Sequence, residues 1–382
     1  MTGAYYPEIS AAGVQCRAVA AAIGDLAHLS ILTTAVDGSL PSTDTIDGRP
    51  IARVAVDVTR RASKALASLD VARHLLHASS TYDIIHVHGF SQKNVPVSIF
   101  AGLARKPLVL TLHTAGQDEP GAVKRYGALA SWSFASADLT LAVSPSLLDC
   151  WRTAGLDADR IRLVPNGVDT HRFRPADDHE KAALRREIRW PAQDPVVLFV
   201  GFFSRDKRPD LLFRAWCRAD GPRSRLAFVG ATRSGYYEID ESIAQQIGSG
   251  AASAGRAGDV LFAEPAQEID RYFRAADVFV LPSIREAHPL ALLEAMACGL
   301  PCIATRLAGA TDAIITDGEQ GILVPPDDEG ALARAITAVL QDPAAGRAIG
   351  ARARQRIVDR YDIQRTAGQW LDAYHTVLAG KR

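Results

Sequence analysis

The start of a predicted helix at residues 289–297 has the properties of an anion-binding site. The apolar run before it predicts a buried strand that ends at Pro282, so the carboxyl end of a strand leads into a helix N-terminus. The backbone N–H groups of His288 and Leu290 have no partner within such a helix and lie at the positive end of its dipole. Pro289 supplies no N–H. This segment therefore predicts a site for a phosphate or a similar anion.

Two carboxylates flank that helix start. Glu286 lies in the loop before the helix, and Glu294 lies more than a turn inside it. The neighbours of Glu294 are almost all apolar, which favours a buried carboxylate with a partner over an exposed helix glutamate. Carboxylates beside a phosphate site are suited to accept hydrogen bonds from sugar hydroxyls. The pair therefore indicates a ligand that carries both a phosphate and a sugar.

Several other chemistries lack their motifs. No GxGxxG follows a strand, since Gly248 and Gly250 follow a helix and lack the third glycine. There is no GxxxxGK[ST] phosphate loop, no HExxH and no paired His–carboxylate metal motif. Asp157 and Asp159 lie in a polar turn before a strand and are interpreted as solvated. The sequence therefore predicts neither a dinucleotide enzyme nor a metal site.

The length of 382 residues predicts two domains. Apolar residues make up 48% and charged residues 23%, which is ordinary globular composition and excludes disorder. Lys and Arg together number 43, as do Asp and Glu, so no basic surplus indicates nucleic-acid binding. Five scattered cysteines without CxxC spacing fit a reducing compartment. With no signal-peptide pattern and no apolar run long enough to span a bilayer, the expected location is cytoplasmic.

Short apolar runs alternate with Ala/Leu/Arg-rich stretches along the whole chain. Continuous runs such as 196–201 are typical of strands buried on both faces of a parallel sheet. The helical stretches between them indicate repeated βαβ units, and hence two doubly wound α/β domains. The predicted strands are 29–36, 51–57, 83–89, 107–114, 139–144, 161–165, 196–201, 225–230, 259–262, 277–282, 301–305 and 321–324.

The domain boundary is predicted near residues 172–195, a charged stretch with three prolines that suits a linker with one polar helix. The predicted domains are residues 1–185 and 192–358. A last amphipathic helix within 361–382 carries an apolar stripe at helical spacing. The stripe consists of Trp370, Leu371, Tyr374 and Leu378.

The first strand of the first domain is missing from the pattern. Residues 2–15 have the character of the loop that follows a first strand, and residues 11–26 that of the next helix. In a doubly wound sheet the first strand is central, so its loss leaves a gap between the strands at 29–36 and 83–89. Two explanations stay open at this point. The preferred one is a natural start some residues upstream, and the other is a fold that begins differently.

At four places the sequence resembles one family, the retaining group 1 glycosyltransferases with two-domain GT-B architecture. Glu286 and Glu294, with seven residues between them, are followed by EAMACGLPCIAT and TDGEQGILVPPDD, as in that family. Residues 200–207 resemble its diphosphate-binding strand and loop, and residues 163–169 its VPNGVD segment. His113, at the end of LTLH, resembles its histidine at the end of a central strand. The resemblance covers most of the chain and implies two Rossmann-like domains facing a cleft.

On the donor side, the resemblance implies a role for each matching residue. Glu294 corresponds to the carboxylate that holds the ribose diol, and Glu286 to the residue that faces the donor sugar. Lys207 is the cation expected to stabilise the diphosphate leaving group. The family often has a second cation directly after Gly201, where this chain has a phenylalanine, and Arg205 is the candidate substitute.

The same helix start supplies the remaining donor contacts. His288 and Leu290 are expected to offer backbone N–H groups to the donor, while the His288 side chain either contacts the donor or faces solvent.

The resemblance also assigns residues in the first domain, which it makes the acceptor-binding domain. Gly13 matches a loop that approaches the donor phosphate, and His113 is expected to contact the transferred sugar. His86 and His88 are interpreted as facing opposite sides of their strand, with structural or acceptor-side roles. The last helix is expected to return to this domain, and the second domain is expected to bind the nucleotide-sugar donor.

The function that follows is transfer of a hexose from a nucleotide-diphospho-sugar to an acceptor hydroxyl with retention at C1. No cofactor and no metal are expected, and the acceptor is a carbohydrate, a lipid-linked molecule or a small molecule. The open alternatives are an epimerase or phosphorylase of the same fold and a non-catalytic sugar-nucleotide-binding protein. Peripheral contact with the inner face of a membrane and the oligomeric state also stay open.

Overall fold

The computed structural model describes residues 1–232, 239–264 and 268–380, and it divides into two units. The first unit consists of Met1–Gly167 and Ile363–Arg382, and the second of Val168–Asp362. Residues 168–185 thus belong to the second unit, which corrects the predicted boundary at residue 185. The reason is an ion-pair cluster, because Lys181 and Arg185 both bind the Asp277 carboxylate.

The second unit is built on a six-stranded parallel sheet. Its strands are β8 Val196–Val200, β9 Arg225–Val229, β10 Val260–Ala263, β11 Val278–Leu281, β12 Cys302–Thr305 and β13 Ile322–Val324. They lie in the order β10-β9-β8-β11-β12-β13, which is the strand order of a doubly wound Rossmann sheet. Its helices are α7 Asp178–Glu187, α8 Pro209–Arg218, α9 Glu241–Ser253, α10 Asp270–Ala275, α11 Leu290–Ala297, α12 Thr311–Ile314, α13 Glu329–Gln341 and α14 Pro343–Arg360.

The apolar runs of this sheet are continuous because both of its faces are covered. Along β8, Val196 and Leu198 belong to one buried cluster, whereas Val197 and Phe199 belong to another. Successive side chains of a strand point to opposite faces, so each residue of the run has a core to enter. The continuous run therefore correctly predicted a fully buried parallel strand.

The first unit has a four-stranded and a three-stranded sheet. Its strands are β1 Ile31–Ala35, β2 Thr43–Ile46, β3 Arg49–Ala55, β4 Ile85–His88, β5 Leu108–Leu112, β6 Leu139–Ala142 and β7 Ile161–Leu163. The orders are β4-β5-β6-β7 and β1-β3-β2. Its helices are α1 Ala11–Ile23, α2 Arg61–His77, α3 Asn94–Leu103, α4 Pro120–Lys124, α5 Ala128–Ala135, α6 Pro145–Thr153 and α15 Ile363–Ala379.

The strands at 29–36 and 83–89 do not pair with each other, as predicted, because β1 and β4 belong to separate sheets. Residues 1–3 lie between them. The Thr2 N–H donates to the Leu32 carbonyl at 3.1 Å, and the His88 N–H donates to the Met1 carbonyl at 2.9 Å. The Met1 amino group donates to the His86 carbonyl at 2.5 Å. A short stretch thus stands where a doubly wound sheet has its central strand.

Strand β2 was not predicted, because its sequence Thr-Asp-Thr-Ile is polar and three of its four residues are exposed. It pairs antiparallel with β3 through a tight turn at Asp47 and Gly48, whose φ angles are 50° and 72°. Asp-Gly is a frequent pair in such two-residue hairpin turns. That dipeptide was the available signal for the hairpin.

The last helix, α15, packs on α1 and on β5 of the four-stranded sheet. Trp370 and Tyr374 are buried there, and Leu371 is partly buried. Leu378 is exposed, so the predicted stripe is wrong at that residue, and Val377 is buried in its place. Val377 follows Tyr374 by three residues, which keeps it on the same helix face, whereas Leu378 lies about 100° further round.

Candidate functional site

The strands β8 and β11 are neighbours in the second sheet, and the chain order reverses between them. Ligands of doubly wound sheets bind beyond the carboxyl ends of the strands at such a reversal. Lys207 follows β8, Glu286 follows β11, and the Lys207 Nζ lies 2.6 Å from the Glu286 Oε1. The Glu286 side chain is only 8% exposed and that of Lys207 is 30% exposed. The fold thus brings two residues predicted from distant motifs into one charged pair.

Backbone and ionic contacts hold the two loops together. The Ile284 N–H donates to the Asp206 carbonyl at 2.8 Å, and the Arg285 guanidinium pairs with the Asp206 carboxylate. The Lys207 N–H donates to the Ser204 carbonyl at 3.2 Å, which closes a turn after β8. These contacts position Lys207 against Glu286 before any ligand binds.

Helix α11 begins at Leu290, with Pro289 as its N-cap residue and no side-chain cap. The Leu290 N–H makes no hydrogen bond within the part of the chain that the structure describes. It remains available to an anion, as expected at a helix N-terminus. The His288 ring is buried and lies 5.2 Å from the Tyr361 ring, which excludes the solvent-facing alternative. Burial lowers the pKa of His288 to about 3, so this ring is neutral.

Glu294 lies on α11, and its carboxylate makes no hydrogen bond among the described residues. Desolvation raises its pKa to about 7, while the positive charge of Arg172 opposes that rise. Arg172 itself pairs with Asp270 at 2.9 Å. Sequence analysis missed Arg172, which is 122 residues away from Glu294 along the chain and belongs to no motif. A desolvated carboxylate without a donor is poised to accept hydrogen bonds from a ligand.

Two other predicted donor residues have different surroundings. The Arg205 side chain is 88% exposed and pairs with Asp240 at 3.2 Å, so it takes no part in the Lys207–Glu286 pair. Gly201 donates its N–H to the Val229 carbonyl at 3.1 Å. A Cβ atom on Gly230 would lie 1.9 Å from the Gly201 carbonyl oxygen. The two strand ends therefore approach closely only because residue 230 has no side chain.

His113 lies at the end of β5 in the first unit, where its Nε2 is 3.0 Å from the His88 Nδ1. Burial lowers the pKa of His113 to about 4 and holds that of His88 well below its ordinary value. Both rings are therefore neutral near pH 7, and one of them donates an N–H hydrogen bond to the other. Asp118 holds the loop that follows β5, because its carboxylate accepts the N–H groups of His113 and Phe90 at 2.7 Å. Sequence analysis missed Asp118, since a buried loop aspartate gives no periodic signal.

The placement of His86 and His88 on opposite sides of β4 is wrong. Their ring centroids are 4.2 Å apart, and both rings pack on Trp370. Residues two apart in a strand share a face, which is the physical reason. The His86 Nδ1 lies 2.8 Å from the Tyr374 hydroxyl, so this histidine joins the sheet to the last helix.

Gly13 lies in the first turn of α1 and has a structural explanation. Its N–H donates to the Ser10 hydroxyl at 3.0 Å, which is the cap of the helix. A Cβ atom on this residue would lie 2.5 Å from the Ala4 carbonyl oxygen. The glycine thus permits a close approach between α1 and the preceding loop. For metals, the described residues contain no group of three or more His, Cys, Asp or Glu side chains that could hold an ion.

The fold matches solved structures along its whole length. The Anabaena protein HepE, solved in complex with UDP and glucose, aligns with a TM-score of 0.79 at 19% identity and covers 98% of both chains. Sucrose-phosphate synthase from Thermosynechococcus elongatus aligns with a TM-score of 0.80 at 24% identity over 97% of this chain and 94% of that one. The chain is thus a protein of the GT-B fold class, with two Rossmann-like units.

Sequence comparison identifies the family. The family described as "Glycosyl transferases group 1" matches residues 180–356, and "Glycosyltransferase Family 4" matches residues 12–172. D-inositol 3-phosphate glycosyltransferase of Acidothermus cellulolyticus is 33% identical over 79% of this chain and 68% of that protein. Alpha-maltose-1-phosphate synthase of Mycolicibacterium smegmatis is 28% identical over 84% of this chain and 86% of that protein. This chain belongs to the group 1 glycosyltransferases.

Proposed function

We propose that this chain transfers a hexosyl group from a nucleotide-diphospho-sugar to an acceptor hydroxyl with retention at C1. The observation that carries the proposal is the Lys207–Glu286 pair at the β8–β11 reversal, beside the uncapped start of α11. A cation, free backbone N–H groups and carboxylates together suit a ligand with both a diphosphate and sugar hydroxyls.

Lys207 stabilises the leaving diphosphate in this proposal. Its ammonium group has three N–H donors and uses one of them on Glu286. The others remain for phosphate oxygens, together with the N–H of Leu290 at the positive end of the helix dipole. Negative charge on the diphosphate grows as the C1–O bond breaks, so these donors act most strongly in the transition state. Glu286 keeps the lysine in place and faces the donor sugar.

Glu294 binds the nucleoside in this proposal. Its unpartnered carboxylate accepts hydrogen bonds from the two ribose hydroxyls, and this contact replaces the water lost on burial. The protonated acid would accept less well, so donor binding favours the ionised form. The acceptor hydroxyl then attacks on the face that the leaving group vacates, and a leaving phosphate oxygen takes its proton. No protein base and no metal are required by this route.

Lys93 in the first unit supports an acceptor that carries an anionic group. Its Nζ lies 3.0 Å from the Thr34 hydroxyl, at the carboxyl end of β1 and beside Gly3. Burial lowers its pKa to about 8, and no carboxylate pairs with it among the described residues. A desolvated ammonium without a counter-ion is a binding site for an anion. The relatives named D-inositol 3-phosphate glycosyltransferase and alpha-maltose-1-phosphate synthase fit a phosphorylated acceptor, since transfer of a glucosyl group to glucose 1-phosphate gives maltose 1-phosphate.

A donor screen tests the reaction. The protein is incubated with a mixture of phosphorylated and neutral sugar acceptors and, in turn, with UDP-glucose, UDP-galactose, UDP-N-acetylglucosamine, ADP-glucose and GDP-mannose. Release of nucleoside diphosphate is measured with and without EDTA. We expect release from one donor, undiminished by EDTA, and an axial C1 linkage in the product by NMR. Tight binding of a donor without turnover on any acceptor would favour the non-catalytic alternative, and an inverted linkage would refute retention.

An acceptor comparison tests the role of Lys93. With the best donor, inositol phosphate and glucose 1-phosphate are compared as acceptors with the unphosphorylated compounds, in the wild-type protein and in Lys93→Gln. We expect the phosphorylated compound to be preferred at least tenfold, and the variant to lose this preference while its donor KM stays unchanged. Equal use of neutral acceptors by both proteins would refute an anionic acceptor without touching the donor assignment.

A further inference from the structure

Helices α2, α3 and α5 form one layer in the first unit, and α2 also packs on β3. α2 packs against α3, and α3 packs against α5, where the Ser98 and Ser133 hydroxyls lie 2.8 Å apart. The inner side of the layer is apolar and buried, with one large residue from each helix at Val71, Val97 and Phe134. This inner side accounts for the packing of the layer on its own unit.

The outer side of the same layer is also apolar. Its large apolar residues are between 44% and 82% exposed, and they are Leu66, Leu69, Leu76, Ile99, Leu103, Leu129 and Trp132 on the helices and Tyr126, two residues before α5. These are eight of the 16 exposed large apolar residues in the described part of the chain, so half of them fall within residues 66–132. On α2, the three leucines share one stripe opposite the buried Val71. We call this surface the α2–α3–α5 face.

The charges around the α2–α3–α5 face are almost all positive. Exposed basic residues lie on its helices or next to their ends, at Arg61, Lys64, Arg73, Arg105, Lys124 and Arg125. Asp70 is the one acidic residue within α2, α3, α4 and α5. Residues 61–135, which span the helices α2 to α5, contain eight Lys or Arg and four Asp or Glu, of which Asp118 is buried, in a chain whose net charge is zero. The positive charge is therefore concentrated where the apolar residues are exposed.

We infer that the α2–α3–α5 face docks on the surface of an anionic lipid bilayer. Leucines enter the acyl boundary, the amphipathic rings of Trp132 and Tyr126 lie at headgroup level, and the flanking Lys and Arg side chains reach lipid phosphates. A second copy of the chain would bring two positive faces together, which charge repulsion disfavours. The contact is peripheral, because no helix in the described ranges is long and apolar enough to cross a membrane.

Vesicle flotation tests the inference with the full chain and needs no sugar donor. Vesicles of phosphatidylcholine alone are compared with vesicles containing 30% phosphatidylglycerol, at low and high salt. We expect binding to the anionic vesicles that falls steeply with salt. Equal binding to neutral vesicles, or no binding to either, would overturn the inference.

Two pairs of variants separate the charged and apolar contributions. Arg61→Gln with Lys64→Gln should weaken partitioning by about 30-fold, since each cation near an anionic surface contributes about fivefold. Leu69→Ser with Trp132→Ser should weaken it by at least about tenfold. The matched controls in the second unit are Arg186→Gln with Arg347→Gln and, separately, Val358→Ser, all at exposed positions. Equal losses of vesicle binding in the control variants would refute lipid as the occupant of the face. A dimer in analytical ultracentrifugation that Leu69→Ser dissociates would refute it as well.

Discussion

Replacing Glu294 with glutamine should change how the stability of the protein depends on pH. The ordinary pKa of a glutamate is 4.5, and burial raises that of Glu294 to about 7. The folded state therefore holds this proton more tightly than the unfolded chain does. The stabilising contribution of the protonated group is fully present below pH 4.5 and is lost as the pH rises towards 7. Glutamine is neutral at every pH and makes no such contribution to the pH dependence.

The magnitude follows from the two pKa values. A difference of about 2.5 pKa units corresponds to about 3 kcal/mol, at ~1.36 kcal/mol per unit. The wild-type protein should therefore lose about 2–4 kcal/mol relative to Glu294→Gln between pH 4.5 and pH 7.5. The buried histidines act in the opposite direction, because burial lowers their pKa values, but they are present in both proteins and cancel in the difference.

Urea unfolding of both proteins, followed by the transition of the second unit in steps of half a pH unit, measures the effect. Equal pH dependence in the two proteins would show that Glu294 is solvated, and the reasoning from its burial would fail. Binding of the nucleoside of the donor that the screen identifies provides a second measurement, and a nucleoside has no phosphate group that would titrate in the same pH range. Its affinity for the wild-type protein should rise up to pH 7 and then level off, while the affinity of the variant should stay low and flat.

Three further predictions concern other parts of the chain. Lys207→Ala should lower kcat by about 10²–10³-fold with a smaller change in donor KM, because the lysine acts on charge that develops during transfer. A rise in donor KM of the same size at constant kcat would show instead that Lys207 contributes only to ground-state binding. Gly230→Ala should lower the free energy of unfolding by at least about 1–3 kcal/mol, since its Cβ would clash with the Gly201 backbone. The control, Gly248→Ala, has open space around it in a helix and should be stabilising. Equal effects of the two substitutions would refute the close approach of residues 201 and 230. Tyr374→Phe should cost about 1–3 kcal/mol in urea unfolding, because the His86 Nδ1 loses its buried partner, and an unchanged stability would mean that water replaces the hydroxyl.

Most strands of this protein could be predicted because their signal is local. All 12 predicted strands are present. Most of them are buried on both faces, and such a strand must be apolar along its length. The exception, β2, is an edge strand with exposed polar residues, and its presence depends on pairing with β3. The lack of pairing between β1 and β4 was also predictable, because strand order in a doubly wound sheet follows from the order of the elements along the chain.

The candidate site could be predicted in part. Glu286, Glu294 and Lys207 stand in recognisable segments, because their chemistry demands certain residue types beside a strand end and a helix start. Arg205 showed the limit of that reasoning, since a charged loop residue has the same sequence signal whether it meets a ligand or pairs with Asp240 in solvent. Arg172 and Asp118 had no signal at all, because each acts on residues that come close only after folding.

The sequence by itself determined the class of the fold, the order of its strands and the short list of residues able to bind a phosphate and a sugar. These depend on local periodicity and residue type, which are written along the chain. Only the tertiary structure decided that Lys207 contacts Glu286, that the carboxylate of Glu294 is desolvated beside Arg172, and that three helices expose an apolar, basic face. Distances and burial arise from packing between distant segments, and the energies of charges and apolar surfaces depend on those two quantities.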